Sequence, residues 1–350
     1  MENPNNLMQK AFKLHEQTIV VDSHHDILKE ILESRQKGLR GRINQYWAPK
    51  LRHGGVNVQV FPIYVDSEFL PELATRKTLQ MAEAFNADLE DDNSHVVKVT
   101  SYKEAIKAVN NGKIAGFLAI EGAEGLGTDI DLFHTFYRLG VRMIGLTWNH
   151  RNQFADGTGE QATGGGLTKL GFAAIKEMDR LNILIDASHI NETCFYQILE
   201  TSSNPIVASH SNSRGIYDHP RNLSDDQIKA LAQNDGVMGL LIHPGIIDPK
   251  NPTISRVVDH IAYVADLVGI EHIGIGTDFL EDALAIPIDE IMAKQAMIDI
   301  EVLKNGIEGL NRIDELHNLT IELIKRGFSD ADINKVLGEN FLRVFEKVLI

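Results

Sequence analysis

Cysteine is almost missing from this chain. Cys194 stands alone among 350 residues, so no disulfide can close within the chain and a reducing compartment suits it. Basic residues are scarce as well. The 34 Lys and Arg against 49 Asp and Glu leave a formal net charge of −15, which argues against nucleic acid or an anionic membrane surface as a partner, because both need clustered cations. No apolar run approaches the roughly 18 residues that a bilayer-spanning helix requires. The opening residues, Met1 to Asn6, show no basic stretch followed by an apolar one, so no secretion signal is expected and a cytoplasmic location is. No Pro/Ser-rich linker, low-complexity segment or fixed repeat divides the chain, and a single domain over 1–350 is the expectation.

What is present is an alternation. Hydrophobic residues make up 43% of the chain, enough for a large core, and they fall into short Val/Ile/Leu-rich runs separated by longer amphipathic segments. The runs at 18–26, 56–65, 115–120, 141–147, 182–187, 205–211, 236–242 and 272–276 read as eight strands. Helices are expected over 7–16, 72–89, 102–109, 131–139, 167–181, 192–200, from Ser224 onward, over 254–268, and over 313–325 and 330–348. Thr168 and Ser224-Asp225-Asp226 look like helix starts, and Gly140 like a helix stop. Eight strands, nearly all followed by a helix, predict an α/β fold, a (β/α)₈ TIM barrel of the metal-dependent hydrolase type. The helix within 1–17 and the helices in 313–350 would pack on that barrel, and a two-domain doubly wound sheet is the structural alternative.

The chemistry collects at the ends of these runs. Of 14 histidines, six (His24, His25, His150, His189, His210 and His243) stand at or just past the C-terminal end of an expected strand, as do Glu121 and Asp278. In a barrel those ends converge on one mouth. Singly, each such residue reads as well as a hydrogen-bonded group at a strand end. Together they form the donor set of a metal site, because ionisable groups ending apolar strands need partners that a cation supplies. His24, Asp26, Glu121, His189 and His210 exceed what one tetrahedral zinc takes, and they suit two metals. His24 and Asp26 would hold one, His189 and His210 the other, with Glu121 bridging through its two oxygens. Two such metals can share a hydroxide and polarise a carbonyl, and Asp278 is then the natural general base and acid.

The blocks Asp22-Ser23-His24-His25-Asp26, Glu121-Gly122, Ile185-Asp186-Ala187-Ser188-His189 and Ser209-His210-Ser211 resemble the membrane (renal) dipeptidase family of zinc peptidases, peptidase family M19. Asp218-His219-Pro220-Arg221-Asn222, Gly276-Thr277-Asp278-Phe279 and Glu339 to Phe345 extend the likeness over nearly the whole chain, in order. The resemblance implies an amidohydrolase-like barrel with two Zn²⁺, or other divalent metals, hydrolysing dipeptides. It places the metal ligands on His24, Asp26, Glu121, His189 and His210, and the catalytic aspartate on Asp278. It also assigns to Arg221 the grip on the substrate's terminal carboxylate, for which a guanidinium is suited by its paired donors. Members of the family are often dimers, so a homodimer is open, and tolerance of D-residues at the C-terminal position makes L,D dipeptides a candidate substrate class.

Two departures stand out. Where the family often reads Leu-Thr-His, this chain has Leu146-Thr147-Trp148, with His150 two residues on. Trp148 and His150 would share a face and line the mouth if the strand ran that far. Leu280-Glu281 stands where Asp-Gly is common. Hydrolysis of another amide, a lactone or a phosphoester in the same barrel is the alternative within enzymes, and a non-catalytic metal binder is the alternative outside them.

Overall fold

The computed structural model describes residues 4–90, 94–279, 290–295 and 297–350. Nine parallel strands form one sheet: β1 (Val20–Asp22), β2 (Val56–Tyr64), β3 (Val96–Lys98), β4 (Ile114–Glu121), β5 (Val141–Gly145), β6 (Leu184–Asp186), β7 (Val207–Ser211), β8 (Val237–Leu240) and β9 (Ile273–Ile275). The order runs β2-β1-β9-β8-β7-β6-β5-β4, and a direct pairing of β2 with β4 closes it into an eight-stranded barrel. The expected (β/α)₈ barrel is therefore what the chain adopts. β2 and β4 are buried along almost their whole length, which is why they appear as near-continuous apolar runs rather than alternating ones.

The ninth strand, β3, was not anticipated. It pairs only with the start of β4, Val96 against Ile114 through Lys98 against Gly116, outside the barrel circuit. The first strand is also shorter than expected, because the ladder ends at Asp22 and 23–26 leave it as an irregular segment. Helices at Leu28–Gln36 and Ala48–His53, with a π-helical turn at Ile43–Trp47 between them, fill the β1–β2 connection. Thr168 and Ser224 both cap their helices, Ser224 within a capping box with Gln227.

The barrel's interior is closed at one end by the helix Asn340–Val348. Phe341, Val344 and Phe345 join Val21, Val58, Phe117, Val207 and Val237 in one buried cluster. Higher in the barrel the packing turns polar. Ser23 Oγ donates to the carbonyls of Ser209, at 2.6 Å, and Ile275, at 2.8 Å. A Cβ at Gly239 or Gly276 would collide with the same Ser209 carbonyl, so glycine at both positions allows β7, β8 and β9 to close beneath the mouth. The helix Pro4–Gln17 packs against His317–Lys325, where the rings of His15 and His317 stack at 4.0 Å between centroids. Among the described residues, no helix is long and apolar enough to cross a membrane.

Candidate active site

Glu121, the last residue of β4, lies at the centre of the mouth. Its Oε2 is 3.4 Å from His24 Nε2, while Oε1 is 2.8 Å from His189 Nε2 and 3.5 Å from His210 Nε2. Asp26 Oδ1 and Asp278 Oδ1 approach His24 Nε2 at 3.6 and 3.9 Å. The structure thus brings together the five expected metal ligands and Asp278, with one carboxylate oxygen of Glu121 turned to each half of the set.

The second nitrogen of each imidazole is committed elsewhere. His189 Nδ1 lies 2.7 Å from Asn149 Oδ1, and the latter also accepts from Thr158 Oγ1 at 2.8 Å. Ser209 Oγ donates to Asp186 Oδ2 at 2.5 Å, which leaves its lone pairs for His210 Nδ1 at 2.7 Å and His24 Nδ1 at 3.4 Å. With Nδ1–H as the donor in His189 and His210, their bare Nε2 atoms face Glu121, and His24 turns its Nε2 to the same carboxylate. His189 and His210 bring theirs to 2.8 Å, an approach of two lone pairs that a cation relieves. Buried Nε2 of His24 and Oδ1 of Asp26 have no hydrogen-bond partner among the described residues. His24, Glu121 and His210 form one trio able to hold an ion, and His24, Asp26 and Asp278 another. The donors present fit a divalent metal ion.

The electrostatics carry the same signature. Burial would raise the Glu121 carboxyl, yet the charge of His24 and the contacts with His189 and His210 hold it well below the usual range. Burial opposes protonation of His24, and Glu121, Asp26 and Asp278 together overcome it and lift that imidazole well above its ordinary value. Burial and then Arg221 depress His189 to about 3, and burial and then His24 depress His210. Asp278 is pushed well above the carboxylate range by burial, against the pull of His24 and with the repulsion of Asp26 and Glu121. His189 and Asp278 both hold left-handed backbone, φ 64° and 50°, a strained conformation for non-glycine residues that concentrates at functional sites.

The neighbouring residues are fixed by local chemistry. Asp22 accepts from the amide of Thr277 at 2.8 Å and its hydroxyl at 2.9 Å, anchoring the turn that carries Asp278. His25 is turned away and meets the edges of Trp47 and Phe279. Arg221 is 3% exposed, and its Nη2 donates to the carbonyl of His210 at 3.0 Å. His219 braces its loop, with Nδ1 accepting from the Arg221 amide at 3.2 Å and Nε2 lying 3.2 Å from the Met297 carbonyl. No carboxylate among the described residues pairs with Arg221 within 4.0 Å, and burial lowers it to about 10. A buried guanidinium in that state is complementary to an anionic ligand.

Arg221, Asp278, Glu121, Asp26 and Trp148 line one cavity, roofed by Ala293, Ile298 and Leu303. His150 does not line it. The strand β5 ends at Gly145, so no two-residue alternation carries Trp148 and His150 to a common face of it. Trp148 stacks on His189 with centroids at 5.9 Å, while His150 is exposed and lines an adjoining cavity. Leu280-Glu281 lies outside the described residues. Sequence reasoning missed Asn149, Asp186 and Ser209 as supports for the imidazoles. Asp186 and Ser209 stand inside the blocks that carry the family resemblance and Asn149 follows Trp148, but nothing in the sequence assigns any of the three to an imidazole. It also passed over Tyr64, which shares the cavity wall with Trp148.

The chain matches the family profile described as membrane dipeptidase, peptidase family M19, over residues 8–296 and 298–349. It is 31% identical over 274 residues to dipeptidase verJ of Clonostachys rogersoniana, covering 78% of this chain and 65% of that relative, so it spans just under two thirds of that protein. Among solved structures it is similar to dipeptidase AC, a metallopeptidase of family M19, at TM-score 0.81 and 26% identity, covering 95% of this chain and 98% of the other. It is similar at TM-score 0.80 and 25% identity to a metallopeptidase from Rhodobacter sphaeroides solved with a phosphinate mimic of L-Ala-D-Ala, covering 95% and 99% of the two chains. The converging donors, the barrel that carries them and these likenesses agree, and the chain belongs to the membrane dipeptidase family, peptidase family M19, whose members are metal-dependent hydrolases of peptide bonds.

Proposed function

We propose that this protein is a dipeptidase that works with two zinc ions and cleaves L,L and L,D dipeptides. The observation that carries the reading is the placement of Arg221, buried and without a carboxylate partner among the described residues, in the same cavity as the donor cluster around Glu121. A short substrate with a free carboxylate suits that spacing, and a non-catalytic metal binder would have no use for it. His24 and Asp26 would hold one ion, His189 and His210 the other, and Glu121 both, a set of imidazole and carboxylate donors suited to zinc. When bound, the ions polarise the scissile carbonyl and acidify the attacking water.

The chain's own residues do the rest. Arg221 receives the terminal carboxylate through two parallel charge-assisted hydrogen bonds and so sets the register of the peptide bond. Asp278 takes the proton from the attacking water and returns it to the leaving amine, a role suited to a carboxyl raised by burial. Asn149, Ser209 and Asp186 keep the imidazoles oriented. The apolar side chains of Ala293, Ile298 and Leu303 line the cavity and would reduce the water around the peptide bond. Cys194 is buried, and its thiol is pushed up to about 11 by burial, in keeping with an unreactive cysteine.

The test joins metal analysis to a panel of L,L and L,D dipeptides. About two zinc ions per chain and turnover of both stereochemical series are the expected result. Fewer than about two ions per active chain would undo the binuclear assignment, and no turnover across the panel would undo the substrate.

A further inference from the structure

A second cavity of about 270 Å³ adjoins the reactive one, and Tyr64 and Trp148 line both. Their rings stand 5.3 Å apart and form the wall between the two spaces. The volume lies just under the roughly 300–1,000 Å³ of small-molecule pockets. Its wall is mostly apolar, with Val65, Leu70 and Pro71 beside the two rings, and Glu124, Asn152 and Gln153 supply polar groups within it.

The barrel fixes which end of the substrate faces this space. Going round the sheet, β2 and β7 are diametrically opposite. Arg221 follows β7, whereas Tyr64 ends β2, Glu124 follows β4 and Trp148 follows β5. A dipeptide whose carboxylate lies at Arg221 and whose peptide bond lies at Glu121 therefore points its amino-terminal residue toward Tyr64, Trp148 and the space behind them.

Glu124 is the acidic residue that lines that space. Glu124 is mostly buried, and its Oε1 accepts from Asn152 Nδ2 at 3.1 Å. No basic side chain among the described residues forms an ion pair with it. Arg151 offers no compensation, because its guanidinium makes a two-pronged pair with Asp156, one arm at 2.6 Å. Burial lifts the Glu124 carboxyl above its usual range. Gly122, at φ 81°, keeps a Cβ out of the space that Glu124 Oε2 occupies.

Building on the dipeptidase reading, we propose that this cavity is a subsite for the side chain of the substrate's amino-terminal residue, and that Glu124 selects a cationic side chain such as that of lysine or arginine. The side chain passes the edge of Trp148, and its ammonium or guanidinium pairs with Glu124 while Asn152 holds the carboxylate in place.

The experiment measures kcat/KM for Lys-Ala, Arg-Ala, Ala-Ala and Leu-Ala with the zinc-loaded full chain and with Glu124→Gln. Alongside it, lysinamide and alaninamide are titrated while Trp148 fluorescence is followed, with Trp148→Phe to define the background from Trp47. The wild type is expected to favour the two cationic dipeptides, and Glu124→Gln to shrink that preference about tenfold and abolish the lysinamide response. A preference unchanged within about twofold in Glu124→Gln, or no fluorescence response to lysinamide in the wild type, overturns the proposal. If no dipeptide is turned over while lysinamide still perturbs Trp148 through Glu124, the dipeptidase reading falls and the cation subsite stands.

Discussion

His189 Nδ1 and Asn149 Oδ1 meet at 2.7 Å, and that contact decides which nitrogen of His189 faces Glu121. Asn149 is itself held twice more, accepting from Thr158 Oγ1 and donating through Nδ2 to the carbonyl of Gln295 at 3.2 Å. One amide therefore ties an imidazole of the donor cluster to the helix Glu290–Gln295 that leads into the roof of the cavity.

Removing that support should weaken metal binding without removing a ligand. Asn149→Ala is expected to lower zinc affinity about 10–100-fold, the usual cost of losing such a partner, and excess zinc should restore much of the activity. Asn149→Asp keeps the acceptor and should bind zinc more tightly than the alanine variant. Chelator competition gives both numbers, and equal affinities in the wild type and Asn149→Ala would show that the contact has no bearing on the metal.

Asp278→Asn separates proton transfer from metal binding. Asparagine tolerates the left-handed backbone at this position, so the turn anchored by Asp22 and Thr277 should persist. The expected result is a fall in kcat on the order of 10²–10⁴ with zinc content retained. Retention of more than about a tenth of wild-type kcat would exclude Asp278 as the proton carrier.

Arg221→Ala should act on binding. Loss of a buried charge-assisted pair of roughly 2–5 kcal/mol predicts a rise in KM of about thirtyfold or more for dipeptides. Dipeptide amides, which lack the carboxylate, should be nearly indifferent to the change. Parallel KM measurements on the two substrate types check this, and equal losses on both would point to damage of the cavity instead.

Acid stability should depend on His15, far from the mouth. Burial and the neighbouring His317 hold its folded-state value at about 3, against 6.5 for the free side chain. The unfolded chain takes up the proton first, so this contribution is fully present above pH 6.5 and is lost as pH falls from 6.5 toward about 3. At about pH 5 the loss is on the order of 2 kcal/mol. Urea denaturation of the wild type and His15→Gln at about pH 7 and about pH 5 should show the smaller decline in the variant, and parallel declines would contradict the assignment.

The sequence by itself determined the architecture and the set of residues at the mouth. Strands buried on both faces must be apolar throughout, so an apolar run that gives way to Glu121, His189 or His210 marks an ionisable group close to a strand's C-terminal end. Barrel closure then makes neighbours of residues far apart in the chain. β3 escaped notice because three residues that pair only with the start of β4 leave too little periodicity to read. His150 was expected to share a strand face with Trp148, but strand period has no meaning beyond Gly145, where the ladder ends.

Tertiary structure alone decided the rest. Which nitrogen each imidazole presents depends on Asn149 and Ser209, brought alongside by loops and strands from elsewhere in the barrel. The burial of Arg221 with no carboxylate partner among the described residues, and the division of the mouth into two cavities by Tyr64 and Trp148, also arise between elements. Periodicity and capping are properties of neighbours along the chain and can be read locally. Hydrogen-bond partners, desolvation and cavity walls are set by residues remote in sequence, so they exist only once the barrel has closed.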